Sequence, residues 1–233
     1  MTSLHRRAFR QAGALQMEVL LALLVMGVLT AAALSVWQGA EQGSRQLSDN
    51  ATLEELKGGL LAFALRRGRL PCPDADGDGF EGGAGGACPA GLQVGSLPFL
   101  SLGLQRPVLS EGALLRYGVF RGTGGRDLVA PGRPAIITDD PAIDGRRLLL
   151  NAALGAAAAN PSTDQPFIAR RSATDAVNDC TAASSTPAFV VGVELQPAQG
   201  SPRCFGARQG VGEALMFMGH FELVGRLAAV PED

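Results

Sequence analysis

Gly13-Ala14-Leu15-Gln16-Met17-Glu18, followed by the uncharged run from Val19 to Ala40, decides how this chain is read. As a helix the run would be roughly 33 Å long at ~1.5 Å per residue, enough for a hydrocarbon core of ~30 Å. Upstream, His5, Arg6, Arg7 and Arg10 stand with no acidic residue among positions 1–13. Basic residues on that side of a spanning helix predict a cytoplasmic N-terminus. Everything after Ala40 is then expected in the opposite, more oxidising compartment. A cleaved secretory signal is the competing reading, with Thr30-Ala31-Ala32-Ala33 as its cleavage region. Glu18 needs a physical explanation, because an acid inside a spanning helix costs ~2.5–3.5 kcal/mol on insertion scales. Either it stays hydrated at headgroup depth or it meets a cation. Cleavage after Gly13 would free the amine of Ala14 on a neighbouring subunit to serve as that cation.

Composition narrows the rest. With 20 Lys+Arg against 22 Asp+Glu the net charge is only −2, which excludes a general nucleic-acid binder that neutralises phosphates with a basic surface. A hydrophobic fraction of 46% against 18% charged residues excludes an extended disordered chain. Glycine (31) and proline (14) are abundant, so one modest core with long, turn-rich connections is expected. Losing residues 1–13 would remove three arginines and no carboxylate, leaving a mildly acidic exported part.

The helical pattern continues past Ala40. Leu47, Ala51, Leu56, Leu60 and Phe63 recur at mostly three- to five-residue steps, with Arg45, Asp49, Glu54, Glu55 and Lys57 between them. Gly58-Gly59 is expected to weaken or bend this half. Arg66-Arg67-Gly68 and Pro71 predict its end. Beyond it, Leu114–Phe120, Ala135–Thr138, Arg147–Leu150, Ala188–Leu195, Leu215–Met218 and His220–Val224 read as strands, and 151–159 as a short alanine-rich helix. The expected form is α+β, a long N-terminal helix packed on an antiparallel sheet head. Its parts are a leader at 1–13, a transmembrane or filament-core helix at 14–40, an amphipathic continuation at 41–68 and an exported globular head at 69–233.

The junction of basic leader, Gly13, Ala14, Glu18 and apolar run resembles the class III leader of type IV pilins and type II secretion pseudopilins. Gly27 falls at a common family position, while Ala14 and Gln16 depart from the usual bulky first residue and leucine. A second set of residues looks like a subgroup of pilin-like proteins with a Leu-Pro-Cys-Pro-Asp turn: Gly68-Arg69-Leu70-Pro71-Cys72-Pro73-Asp74, Gly95-Ser96-Leu97-Pro98-Phe99, Leu102-Gly103-Leu104 and Leu115-Arg116-Tyr117. The resemblance implies cutting between Gly13 and Ala14 by a prepilin peptidase and N-methylation of Ala14. It also implies assembly with other pilin or pseudopilin subunits through Glu18, in contact with inner-membrane lipid. A bacterial inner-membrane, single-pass placement with a periplasmic head follows from the same resemblance. It reaches roughly half of the chain, and nothing after Phe120 carries a motif of this kind.

Four cysteines in an exported domain predict disulfides. Three connectivities are open, and sequence proximity favours Cys72–Cys88 and Cys180–Cys204, each closing a loop worth ~3 kcal/mol. Between the first pair, Asp74, Asp76, Asp78 and Glu81 alternate as in the first half of a calcium-binding EF-hand loop, but the twelfth position is Gly85 rather than a bidentate Glu. Calcium ligation and a solvated acidic turn both remain open, and some pseudopilins do order a loop with calcium. Asp139, Asp140 and Asp144 form a second, weaker acidic turn. Gly122-Thr123-Gly124-Gly125 lacks the Lys-Ser/Thr of a phosphate loop and reads as a hairpin. His220 is the lone histidine of the exported part and has no nucleophile motif beside it, so it reads as a buried or edge-strand residue.

A non-enzymatic assembly subunit, a minor pilin or pseudopilin, is therefore the leading expectation. The alternative is a signal-anchored exported binding module using the acidic loop or the region after Phe120.

Overall fold

Leu53, Leu56, Leu60, Phe63 and Ala64 are all buried, at steps that return to one face of a helix, and they place α1 (residues 50–67) on the core. The computed structural model describes residues 21, 23–28, 30, 50–84, 86–109, 114–130, 145–170, 179–194, 201–206 and 213–229. The chain divides into two units, Met1–Arg45 and Gln46–Asp233. In the first, the described residues between 21 and 30 have helical backbone. The elements below belong to the second.

α1 ends where its sequence says it should. Gly68 takes φ 62° and donates its N–H to the Ala64 carbonyl at 2.9 Å, a left-handed cap that glycine adopts without steric cost. A side chain here would also strike the backbone of Gly145, so the cap doubles as a close approach between α1 and the next helix. Gly58 and Gly59 do not interrupt α1. Gly59 instead makes room for Leu104, whose Cδ1 lies 2.8 Å from where a Cβ would stand.

Four antiparallel strands form the central sheet in the order β1 (Val94–Ser96), β2 (Leu114–Val119), β5 (Phe189–Glu194), β7 (Glu213–Met218). Tyr117, Val119, Phe189, Val191, Val193, Ala214, Met216 and Met218 share one face and join α1 in the main core. α2 (Gly145–Ala157) adds Leu149, Ala152, Ala153 and Ala156 to it, and α3 (His220–Ala228) adds Leu223 and Leu227. Lys57, the sole lysine of the chain, joins α1 to α3 through Glu222 at 2.9 Å.

A second sheet, β4 (Asp179–Ser185), β3 (Phe167–Arg170), β6 (Cys204–Phe205), covers the opposite face. Phe205 makes that contact. Cβ atoms on Gly118 and Gly192 would lie 2.9 and 3.3 Å from its ring, so two glycines on adjacent strands leave the hollow it fills. The Arg116 guanidinium stacks 4.5 Å from the same ring and donates to the carbonyls of Pro202 and Cys204. β3 pairs with β4 antiparallel across two register shifts and with β6 in parallel.

This architecture corrects the α+β form expected from the sequence. The fold is mixed, with short helices and two sheets, rather than one long N-terminal helix on a single antiparallel sheet. Among the described residues no helix is long and apolar enough to cross a membrane. α1 carries Glu54, Glu55, Arg66 and Arg67 exposed on its outer side, as an amphipathic helix does. The single-pass inner-membrane placement is overturned by this finding, together with the membrane-directing reading of the leader.

Two expected strands are helical. Arg147–Leu150 lies inside α2, whose buried residues repeat at helical spacing, and His220–Val224 opens α3, where His220, Leu223 and Leu227 do the same. Short apolar runs read alike in both states, and neighbouring alanine or glycine decides the outcome. Ala51 is exposed and Leu53 takes its place in the core. Ala135–Thr138 and Leu47 lie outside the described residues.

Gly68→Ala is expected to lower unfolding free energy by roughly 2 kcal/mol or more, since it adds strain at positive φ and a clash with Gly145. Urea denaturation of the two proteins side by side measures it, with Gly58→Ala, which meets nothing within 4 Å and should gain roughly 0.5–1 kcal/mol of helix propensity, as the unstrained control.

Candidate functional site in the disulfide loop

Disulfides join Cys72 to Cys88 and Cys180 to Cys204, the two pairings between sequence neighbours. The first closes the loop that carries the acidic residues. Asp74, 1% exposed, organises it. Its Oδ1 accepts from the N–H groups of Asp76 at 3.1 Å and Gly77 at 2.6 Å, and its Oδ2 accepts from Gly79 N–H at 2.8 Å. Its own backbone exchanges bonds with Ser96 at 3.0 and 2.9 Å, fastening the loop to the outer edge of β1. A buried carboxylate with three N–H donors is a satisfied one. Gly77, Gly79 and Gly82 all have positive φ, which lets the backbone curl around this acceptor.

Glu81 is turned to a different partner. Both of its oxygens accept from the Arg69 guanidinium at 2.6 Å, and Oε2 also accepts from Cys72 N–H at 3.2 Å. Burial pushes the Glu81 carboxyl up, but the Arg69 hydrogen bonds and charge outweigh it and hold the group below its ordinary range. Bidentate geometry makes this the strongest ion pair of the loop. Arg121 braces the other end, pairing with Asp127 at 2.9 Å and donating to Cys88 Sγ at 3.2 Å and the Pro89 carbonyl at 3.1 Å. The Gly122–Gly125 segment is the hairpin that the Arg121–Asp127 bridge closes.

The four acidic positions therefore separate into two groups. Asp74, Asp76 and Asp78 each offer an oxygen within 4.8 Å of the others, while Glu81 is committed to Arg69. Calcium takes six to eight oxygens. Three carboxylates supply a fraction of that number, and Asp74 already spends both of its oxygens on backbone donors. The three carboxylates alone do not fill a calcium shell, and the same geometry suits an acidic turn or, with backbone carbonyls and water added, a cation site. Arg121 carries no motif in the sequence, and the Gly68–Asp74 motif that contains Arg69 does not name Glu81 as its partner; a guanidinium finds its carboxylate only once the loop has closed.

Gly13, Ala14 and Glu18 lie outside the described residues, as do Asp139, Asp140 and Asp144. His220 begins α3 in the core rather than sitting in a strand. Its ring meets Phe120 edge-on at 5.0 Å, its Nε2 is buried without a hydrogen-bond partner, and burial lowers its pKa to about 4. Such a ring is a neutral packing element. Tyr117, fully buried beneath the loop, donates its hydroxyl to the Pro71 carbonyl at 3.2 Å, and burial raises its pKa well above the ordinary value.

No protein-family model, curated protein or solved structure matches this chain.

Replacing Asp74 with Ala strands three backbone donors, and a loss of about 2–4 kcal/mol is expected by thermal or urea unfolding. Acid is expected to weaken the fold through His220. The unfolded imidazole takes a proton near pH 6.5 and the folded one only near 4, so stability falls as pH drops through that window, by roughly 2–3 kcal/mol. Unfolding curves from pH 7 to 4 on the wild type and His220→Leu test this, because the variant should lose that part of the slope.

Proposed function

We propose that this protein is a non-enzymatic assembly subunit of a filament of the type IV pilin or type II secretion pseudopilin kind, with a disulfide-braced head. The observation that carries the reading is the exposure of the N-terminal aliphatic stretch. Leu21, Leu23, Leu24, Val25, Met26 and Val28 are 47–68% exposed on helical backbone. Residues 23–26 are consecutive, so they cover every side of a helix. The polar group of Thr30 is satisfied internally, its hydroxyl donating to the Met26 and Gly27 carbonyls at 3.0 Å. A helix that is apolar all round needs burial against other apolar surface, and like helices from neighbouring subunits supply it in a filament.

Processing between Gly13 and Ala14, and pairing of Glu18 with the Ala14 amine of a neighbour, belong to the same reading. Prepilin peptidase and sister subunits are its partners. The residue pattern of the Leu-Pro-Cys-Pro-Asp turn supports it independently, as the turn that anchors the acidic loop to the sheet.

Two results test it together. Protein recovered from its native host should begin at Ala14, and Glu18→Ala should reduce incorporation into the sedimentable filament fraction by about tenfold or more while leaving the amount of folded protein unchanged. A mature chain beginning at Met1, or Glu18→Ala incorporated like wild type, would falsify the reading.

A further inference from the structure

The two outer strands of the central sheet are treated differently. β1 is closed along its free side by Asp74, whose backbone bonds Ser96 in both directions. β7 pairs with β5 along one side, and among the described residues no strand, bridge or backbone hydrogen bond lies along the other. A row of unpaired N–H and C=O groups is a template that another strand satisfies. Proteins usually protect such edges with proline, lysine, inward charge or a bulge. Ala214-Leu215-Met216-Phe217-Met218 has none of these, and its register with β5 runs without a shift. Phe217 is 46% exposed on the face away from the helices.

We propose that the outer edge of β7 pairs with β7 of a second copy of this chain, antiparallel and centred on Met216. The occupant follows from the sequence of the edge itself. Antiparallel partners share a face, so a two-fold pairing of one strand with itself must be centred on a residue. Centred on Met216, the pairing sets Leu215 opposite Phe217 on the open face. Ala214 then meets Met218 on the helix face, small against large. Centring on Leu215 would bring Glu213 opposite Phe217, and centring on Phe217 would bring Leu215 opposite Gly219, losing the apolar cross-strand pair. The Met216 register is the one that keeps all five residues matched. It covers Phe217 and joins two four-stranded sheets edge to edge. This contact is separate from the aliphatic stretch at 21–28 and does not depend on the filament reading.

Cross-linking reads the register. Leu215→Cys and Phe217→Cys, made separately in the full chain with native disulfides intact, are mixed at equal concentration and mildly oxidised. Directly opposed positions fall within disulfide reach and diagonal ones do not, so a covalent dimer should form in the mixture and not in either variant alone. No dimer in the mixture, or equal dimer in each variant alone, overturns the proposal. Phe217→Lys should weaken the self-association measured by sedimentation about tenfold. Its half-exposed site keeps the melting temperature near wild type, and association through residues 21–28 is common to both proteins. Unchanged association in folded Phe217→Lys also overturns it.

Discussion

Phe189-Val190-Val191-Gly192-Val193 is apolar at every position, and a strand with no polar face has to be covered on both sides. The rest of the fold meets this demand. On one face the three helices bury Phe189, Val191 and Val193 against the stripe of α1. On the other, Val190 is fully buried and Gly192 admits Phe205. β6, which carries Phe205, is only two residues long and would be a weak element alone. The Cys180–Cys204 bridge, the parallel pairing with β3 and the Arg116 guanidinium over the ring hold it in place. The second sheet is thus a cover built around a single aromatic side chain.

The disulfide loop solves the complementary problem at the far edge of the same sheet. Residues 72–88 are rich in glycine and have little apolar surface of their own, so hydrophobic burial cannot order them. Polar groups do so instead. Asp74 gathers three N–H donors, Arg69 and Glu81 form a bidentate pair, Arg121 reaches the bridge sulfur, and the disulfide removes chain entropy from the unfolded state. Apart from the exposed Phe80, the sequence there resembles a ligand-binding loop because the residues that bind cations are also those that cap backbone turns. Which of the two they do depends on where their oxygens already have partners.

The division between the readable and the unreadable is physical. The amphipathic stripe of α1, its glycine cap, the strands around Tyr117, Val191 and Met216, and the pairing of neighbouring cysteines were legible because each rests on local periodicity or short separation. The helices at Arg147–Leu150 and His220–Val224 were misread as strands because a run of four or five residues, three of them apolar, fits either state until its packing partners are known. The long N-terminal helix that hydropathy suggested is not found among the described residues, where α1 runs over residues 50–67. The contacts of Arg69 with Glu81, of Arg121 with Cys88 and of Gly118 with Phe205 had no signal, as each joins residues more than ten positions apart.

By itself the sequence determined that this chain has an apolar N-terminal stretch, an amphipathic helix ending at Gly68, a β-rich region after it and cysteines close enough to bridge. Those properties follow from the order of residues over a few turns or strands. Only the tertiary structure decided that the sheet is covered twice, that Glu81 belongs to Arg69 while Asp74 belongs to the backbone, and that, among the described residues, one sheet edge is closed and the other unpaired. Such choices are made between groups distant in the chain, where the free energy of a contact exists only after the fold has brought its two halves together.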